Sequence, residues 1–393
     1  MVVKKINENI YMFRQVDWEL KDFHGPIYPL DNGTTYNSYL VIDDEVTLID
    51  TMEDEFMGIF KIKLREVLNG RDIDNVVVNH VEPDHSGGFV EIYEEFNVRN
   101  VYTSASGKRG MQKQFFKDVE YNNVKTHDVL NTGKYNFEFM LTPFVHWPDN
   151  MVTYLKEEKY LFSNDAFGQH ITSTHTFADD FGIGRVIESA KEYYANIVLP
   201  YSDRVIPVLE ALKDVELKAI FPAHGIAYKE TVADIVTAYK GWARGDVTDK
   251  AVIIYDSMWG NSKMISLTIG EALYAEGLDV KRFQISKMRS STIMKEIMDA
   301  KYIIVGTGNH NGTMIPSVAE FIERISGSRL KNKKGFTFGS YGWSKDFAKK
   351  LEPRVSEAGI ELIADGIYIN YVPTDEDLLA IYNQVRKVIK EDN

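Results

Sequence analysis

Residues Val76–Gly88 read VVVNHVEPDHSGG. An apolar, β-branched run of the kind that favours a buried strand enters a turn that presents His80, Glu82, Asp84 and His85 within six positions. Imidazole and carboxylate are both metal ligands, and this order, H-x-E-x-D-H, arises by composition in roughly one chain in two hundred of this size. The arrangement returns three times. YNFEFMLTPFVH ends at His146, KYLFSND at Asp165 and LKAIFPAH at His224. Each is an apolar strand that stops at a ligand-capable residue, which is how a rigid scaffold places the groups around an ion. The seven residues exceed the needs of one ion; with Asp165 as a bridge they suffice for two.

Composition narrows the chemistry. The 393 residues include no cysteine, so disulfides, thiolate zinc sites, iron–sulfur clusters and thiol nucleophiles are excluded. Any metal must be held by nitrogen and oxygen. The formal charge of −13 argues against nucleic acid and anionic membranes as partners. The opening MVVKKINENIYMF lacks a signal-peptide core, and no run approaches the ~18 apolar residues of a membrane span, so a cytoplasmic protein is expected.

Eight of the nine histidines precede residue 250, which suggests two halves with different chemistry. From residue 248 onward, KAVIIYDS, LDVKRFQIS, KYIIVGTG, KGFTFGSYGW and IELIADGIYI read as five strands. They alternate with helical stretches such as KMISLTIGEALYAEG and PSVAEFIERISG, the pattern of a doubly wound parallel α/β sheet. Residues 1–247 are strand-rich with scattered helices, an α+β pattern, and a polar linker near Gly245 separates the halves.

In the second half the loop Ser257-Met258-Trp259-Gly260-Asn261-Ser262 leads directly into a helix, where free backbone N–H groups and the helix dipole favour a phosphate. It lacks the G-K-[ST] ending of a Walker loop. Two further loops follow strands: Thr307-Gly308-Asn309-His310-Asn311-Gly312 and Ser340-Tyr341-Gly342-Trp343-Ser344.

The metal series resembles the metallo-β-lactamase fold family, an αββα architecture, with Glu82 where that family's hydrolases carry a histidine. A carboxylate there favours iron or manganese over zinc. The three later loops resemble the flavodoxin family, which implies FMN, with Trp343 or Tyr341 stacking on the isoalloxazine. Together the halves resemble the flavodiiron proteins, and the phrases HWPD at His146, SNDAFGQH around Asp165, YYAN at Tyr193 and FGSYGW agree. That resemblance implies one iron on His80, Glu82 and His146, a second on Asp84, His85 and His224, and Asp165 between them. The counterpart of His85 does not bind metal in every member.

It further implies reduction of dioxygen to water or of nitric oxide to nitrous oxide, FMN as the electron entry, and a head-to-tail homodimer or homotetramer. Without cysteine there is no rubredoxin module, so a separate donor is expected, either rubredoxin or a reduced deazaflavin. His24, His170 and Tyr194 are candidate proton donors or outer ligands, each equally readable as an ordinary core residue. A zinc hydrolase of the glyoxalase type fused to a flavodoxin-like carrier is the competing reading, and Glu82 argues against it.

Overall fold

The computed structural model describes residues 1–117 and 119–392, and the chain divides into two units. The first comprises Met1–Tyr193 and Tyr201–Lys240, the second Tyr194–Pro200 and Gly241–Asn393. The division falls inside the helix Val232–Arg244, a few residues before the expected linker; Gly245 then ends that helix at φ +74°.

The first unit is a sandwich of two sheets. One has seven strands, ordered Val2–Lys5, Ile10–Asp17, Thr34–Ile42, Val46–Ile49, Asn75–Val77, Asn100–Ser104 and Tyr121–Val124. It begins antiparallel and becomes parallel from Val46–Ile49 onward. The other has five strands, from Val129–Asn131 to Ala219–Pro222, with only the last pair parallel. Met12, Tyr39, Ile49 and Val77 of the first sheet pack against Phe137, Phe139, Leu155 and Phe162 of the second. The other face of the seven-stranded sheet is covered by the helices Met57–Leu68, Phe89–Glu95 and Ala105–Phe115. Alternating apolar residues fill both faces, as a sheet buried on two sides requires. This is the expected αββα fold.

The second unit carries a parallel sheet ordered Asp279–Gln284, Thr248–Tyr255, Ala300–His310, Lys333–Tyr341 and Ile360–Leu362. Numbered within the unit, that order is 2-1-3-4-5, the flavodoxin-like winding whose ligand crevice lies at the carboxyl ends of the first and third strands. Two local departures have physical causes. IELIADGIYI is not one strand: Ala364-Asp365-Gly366 interrupts it, and Ile360–Leu362 and Ile367–Asn370 each pair with Lys333–Tyr341. The stretch Thr307–Gly312 is not wholly a loop. The strand runs on to His310 and turns at Asn311-Gly312, both at positive φ, into Thr313–Met314. An Asn-Gly pair with that backbone is the favoured two-residue hairpin. No helix among the described residues is long and apolar enough to cross a membrane.

Candidate metal centre and flavin loops

The strand Asn75–Val77 delivers the chain to the edge of the sandwich, where Pro83 starts the short helical turn Pro83–Ser86. Glu82 precedes that turn, and Asp84 and His85 lie within it, buried. Gly88 lies close against Met57: a Cβ there would meet the Met57 sulfur at 2.0 Å, so that side chain would have to move. His146, Asp165 and His224 arrive from the five-stranded sheet, each after one of its strands.

The seven side chains form two groups whose ligand atoms lie within 4.8 Å of one another, His80, Glu82, His146 and Asp165 in one, Asp84, His85 and His224 in the other. Asp165 reaches both. Its Oδ2 is 3.0 Å from His146 Nε2 and 3.5 Å from His80 Nε2, while Oδ1 is 3.0 Å from His85 Nε2 and 3.6 Å from His224 Nε2. Asp84 Oδ2 is 2.9 Å from His224 Nε2, and Glu82 Oε2 is 3.2 Å from His80 Nε2. Two ligands on one ion with bonds of about 2.0–2.2 Å stand about 3 Å apart, so these spacings suit shared ions.

Hydrogen bonding tests whether the residues fit a metal pair. Both carboxylate oxygens of Asp84, Oδ1 of Asp165 and Nε2 of His85 and His224 are buried without a hydrogen-bond partner among the described residues. Buried polar atoms left unpaired are costly, and coordinated cations would satisfy all five. Glu82, Asp84 and Asp165 also gather three carboxylates in one buried pocket, a concentration of negative charge that cations offset. The donor set of nitrogen and oxygen suits iron or manganese.

Electrostatics report the same crowding. Burial opposes charge on His85, but Asp84 and Asp165 outweigh it and raise its pKa to about 9. Burial likewise disfavours a charged His80, yet Asp149 and Glu82 hold its pKa well above the ordinary value. For Asp165, burial would raise the pKa, and His85 and His146 instead hold it well below the usual carboxylate range.

Outer groups fix the rings. Asp149 accepts from His80 Nδ1 at 2.8 Å and from Val81 N at 2.9 Å, and the carbonyl of Thr35 accepts from His224 Nδ1 at 2.7 Å. Such contacts orient a ligating imidazole and select its tautomer. Asp50 braces two ligand turns at once, accepting from Asn79 N, beside His80, and from Asn164 Nδ2, beside Asp165. Neither Thr35 nor Asp50 has a sequence signal; Asp149 is the last residue of HWPD.

The three candidate outer residues fare differently. His24 donates from Nε2 to Glu82 Oε1 at 2.6 Å and lines a cavity of about 310 Å³ that also touches Glu82 and Asp84. His170 is buried, bonds Thr34 Oγ1 through Nδ1 at 2.8 Å, and leaves Nε2 unpaired. Burial and the neighbouring His224 push its pKa well below the usual value, so it is a neutral ring. Tyr194 is not in this group. Its ring packs 5.4 Å from Trp242 in the second unit, whereas Tyr193 lies 4.9 Å from His170 and 6.2 Å from His224. Neighbouring helix residues point about 100° apart, and at Tyr194 the α-helix Ile183–Tyr193 gives way to a π-helical turn.

In the second unit, Ser257, Met258, Trp259, Asn261, Ser262, Gly308, Asn309 and Ser340–Trp343 line one cleft of about 260 Å³ together with Tyr371, which sequence reading missed. Tyr371 is brought in by the strand Ile367–Asn370, its N–H bonding Tyr341 O at 2.7 Å. Gly260 at φ +92° turns the chain into the helix Asn261–Ala275, leaving its first amides facing the loop. The Asp256 carboxylate anchors that loop, accepting from Ser257 N, Gln284, Ser286 and Ser317. Trp259 and Trp343 at the rim are each 89 % exposed, available to cover a flat ring. Gly260, Thr307, His310, Asn311, Gly312 and Ser344 do not line the cleft; Thr307 turns inward, where its Oγ1 accepts from Ile315 N.

Comparison with known proteins matches this division. Residues 34–225 match the family described as ODP family beta lactamase, and residues 253–384 match flavodoxin. The chain is 38 % identical to a nitric oxide reductase of Moorella thermoacetica, over 98 % of this chain and 97 % of that one. It superposes on the rubredoxin oxygen:oxidoreductase of Desulfovibrio gigas with a TM-score of 0.96 and 34 % identity, covering 99 % of this chain and 98 % of that one. On the flavodiiron protein of Giardia intestinalis the TM-score is 0.95, at 27 % identity and coverage of 99 % and 96 %.

Proposed function

The chain belongs to the flavodiiron protein family, and from that premise we propose that it is an oxidoreductase that reduces dioxygen to water, nitric oxide to nitrous oxide, or both. The observation that carries the reading is the divided carboxylate of Asp165, with one oxygen toward each group of buried ligand atoms.

In this reading His80, Glu82 and His146 hold one iron, Asp84, His85 and His224 the other, and Asp165 links them. FMN occupies the cleft rimmed by Trp259, Trp343 and Tyr371. When bound, the iron pair would supply a place for the gas and concerted electron delivery, and FMN would supply electrons.

The chain's own residues do the rest. Asp149 and Thr35 hold His80 and His224 in orientation, and the neutral His170 and Tyr193 exclude water beside His224. His24, with its partly exposed ring on Glu82, is placed to pass protons inward from the cavity mouth. Both reductions consume protons, which must reach the buried site by some route.

The remaining parts of the proposal rest on the relatives. A separate rubredoxin-type donor is supported by the name of the D. gigas protein, with a reduced deazaflavin as the alternative. A head-to-tail homodimer or homotetramer belongs to the same proposal, as does a location in the reducing cytoplasm. The test loads the protein with FMN and iron and supplies reduced rubredoxin anaerobically, then compares dioxygen with nitric oxide consumption. Two irons per chain and turnover of at least one gas are expected; a zinc-loaded protein inert to both would sink the reading.

A further inference from the structure

A cavity of about 700 Å³ opens in the first unit between the end of the helix Ser202–Ala211, the connector to the strand Ala219–Pro222, and one face of the helix Val232–Arg244. Its bed is apolar, formed by residues such as Leu209, Leu212, Val232 and Val236. Its rim carries Lys213, Lys218, Lys229 and Lys240 against a single acid, Glu230.

That balance inverts the rest of the chain, in which 58 acidic residues outnumber 45 basic ones. Lys213, Lys218 and Lys240 make no ion pair among the described residues, and Glu230 approaches only Lys229, at 3.9 Å. Acidic neighbours are not lacking. Glu216, close enough to sense Lys218, is instead bonded to Lys159. Where a buried lysine meets acids it pairs with them, as Lys250 does with Glu296 and Asp299. Thr231, between two lining residues, also has its buried hydroxyl without a hydrogen-bond partner.

Unneutralised cations around an apolar bed repel one another, and that repulsion is relieved by a ligand bringing negative charge and a hydrocarbon body together. Lysine suits the task, since its stem covers apolar surface while the ammonium reaches the rim. Cavities of about 300–1,000 Å³ are the usual size for small-molecule sites. We propose that this cavity binds a small amphipathic anion, a single acyl-type chain ending in a carboxylate or phosphate. None of its lining residues belongs to the metal centre or the flavin cleft, so the site stands apart from the redox reading.

Calorimetric titration of the FMN- and iron-loaded protein with decanoate, decyl phosphate and decanol tests this. One site per chain is expected for both anions, with decanol at least about tenfold weaker and the anions weakening as salt rises. The double variant Lys218→Glu/Lys240→Glu should lose about tenfold or more in affinity, while Lys113→Glu on another helix should change nothing. Unchanged flavin absorbance and iron content certify that the variants fold. Val236→Trp, which fills the bed, should abolish binding of both anions. Absence of binding, equal binding of decanol, or unchanged affinity in the variants would overturn the site. Binding to phosphatidic acid vesicles without binding of free decanoate would also overturn it, in favour of a membrane surface.

Discussion

The metal ligands and the flavin loops sit at strand ends in their respective sheets, yet they are built in opposite ways. All seven metal-capable side chains are buried, and a further layer of Asp50, Asp149 and the Thr35 carbonyl holds the turns that bear them. In the flavin cleft, one buried carboxylate, Asp256, anchors the phosphate loop, but the two rim tryptophans stand almost fully in solvent. A site that must hold ions in one geometry is assembled by the fold and satisfied from outside. A site that closes on a large flat ring relies on the ring to complete its packing. Loss of one contact should therefore spread through the first site and stay local in the second.

The largest effect is expected at the shared carboxylate. Asp165→Ala removes the carboxylate that reaches both sets of ligand atoms, 3.0 Å from His85 Nε2 on one side and from His146 Nε2 on the other. Iron content should fall below one per chain and gas consumption by more than about 100-fold, while FMN stays stoichiometric. Retention of both irons would break the contrast at its strongest point. Asp149→Asn tests the outer layer: its bond to His80 Nδ1 survives only as a neutral one, and metal affinity should fall by about 10- to 100-fold. Competition with a chelator reads this directly.

On the flavin side, Trp343→Ala removes an exposed aromatic whose packing is completed only by the ligand. FMN affinity should drop about tenfold, the scale of one aromatic contact, with iron content unchanged. If iron were lost as well, the two sites would not be independent in the way their construction implies.

What could be read before the structure divides along the same line. His80 to His85 fall within one short stretch, Asp165 and His224 follow closely on apolar strands, and His146 comes a turn after the strand Asn136–Leu141 rather than at its end, so most of the ligand set is written in local pattern. The layer behind it is not. Thr35 contributes a main-chain carbonyl, which carries no side-chain signal, and Asp50 acts through asparagines 29 and 114 positions away. Tyr371 reaches the flavin cleft only because Ile367–Asn370 pairs with Lys333–Tyr341, a register that no short motif records. Asn311-Gly312 is the exception: it is a legible hairpin signal, obscured by being grouped into a glycine-rich loop.

The smallest expected effect is also the sharpest discriminator, because it turns on one residue of helix phase. Tyr193 and Tyr194 are both buried, and the sequence reading names Tyr194 as the candidate, but it is Tyr193 that faces His170 and His224. Burial, followed by the charge of Asp165, raises the Tyr193 pKa well above its ordinary value, so its hydroxyl stays protonated and available as a donor at any working pH. Tyr193→Phe keeps the ring packing and deletes only that hydroxyl; turnover should fall a few-fold, on the order of the ~1 kcal/mol of one hydrogen bond, with iron content intact. Tyr194→Phe should leave turnover unchanged, since Tyr194 belongs to the second unit, where its ring packs on Trp242. The reverse outcome, with Tyr194 sensitive and Tyr193 silent, would show that the π-helical turn at Tyr194 presents a different face to the metal centre than the geometry here requires.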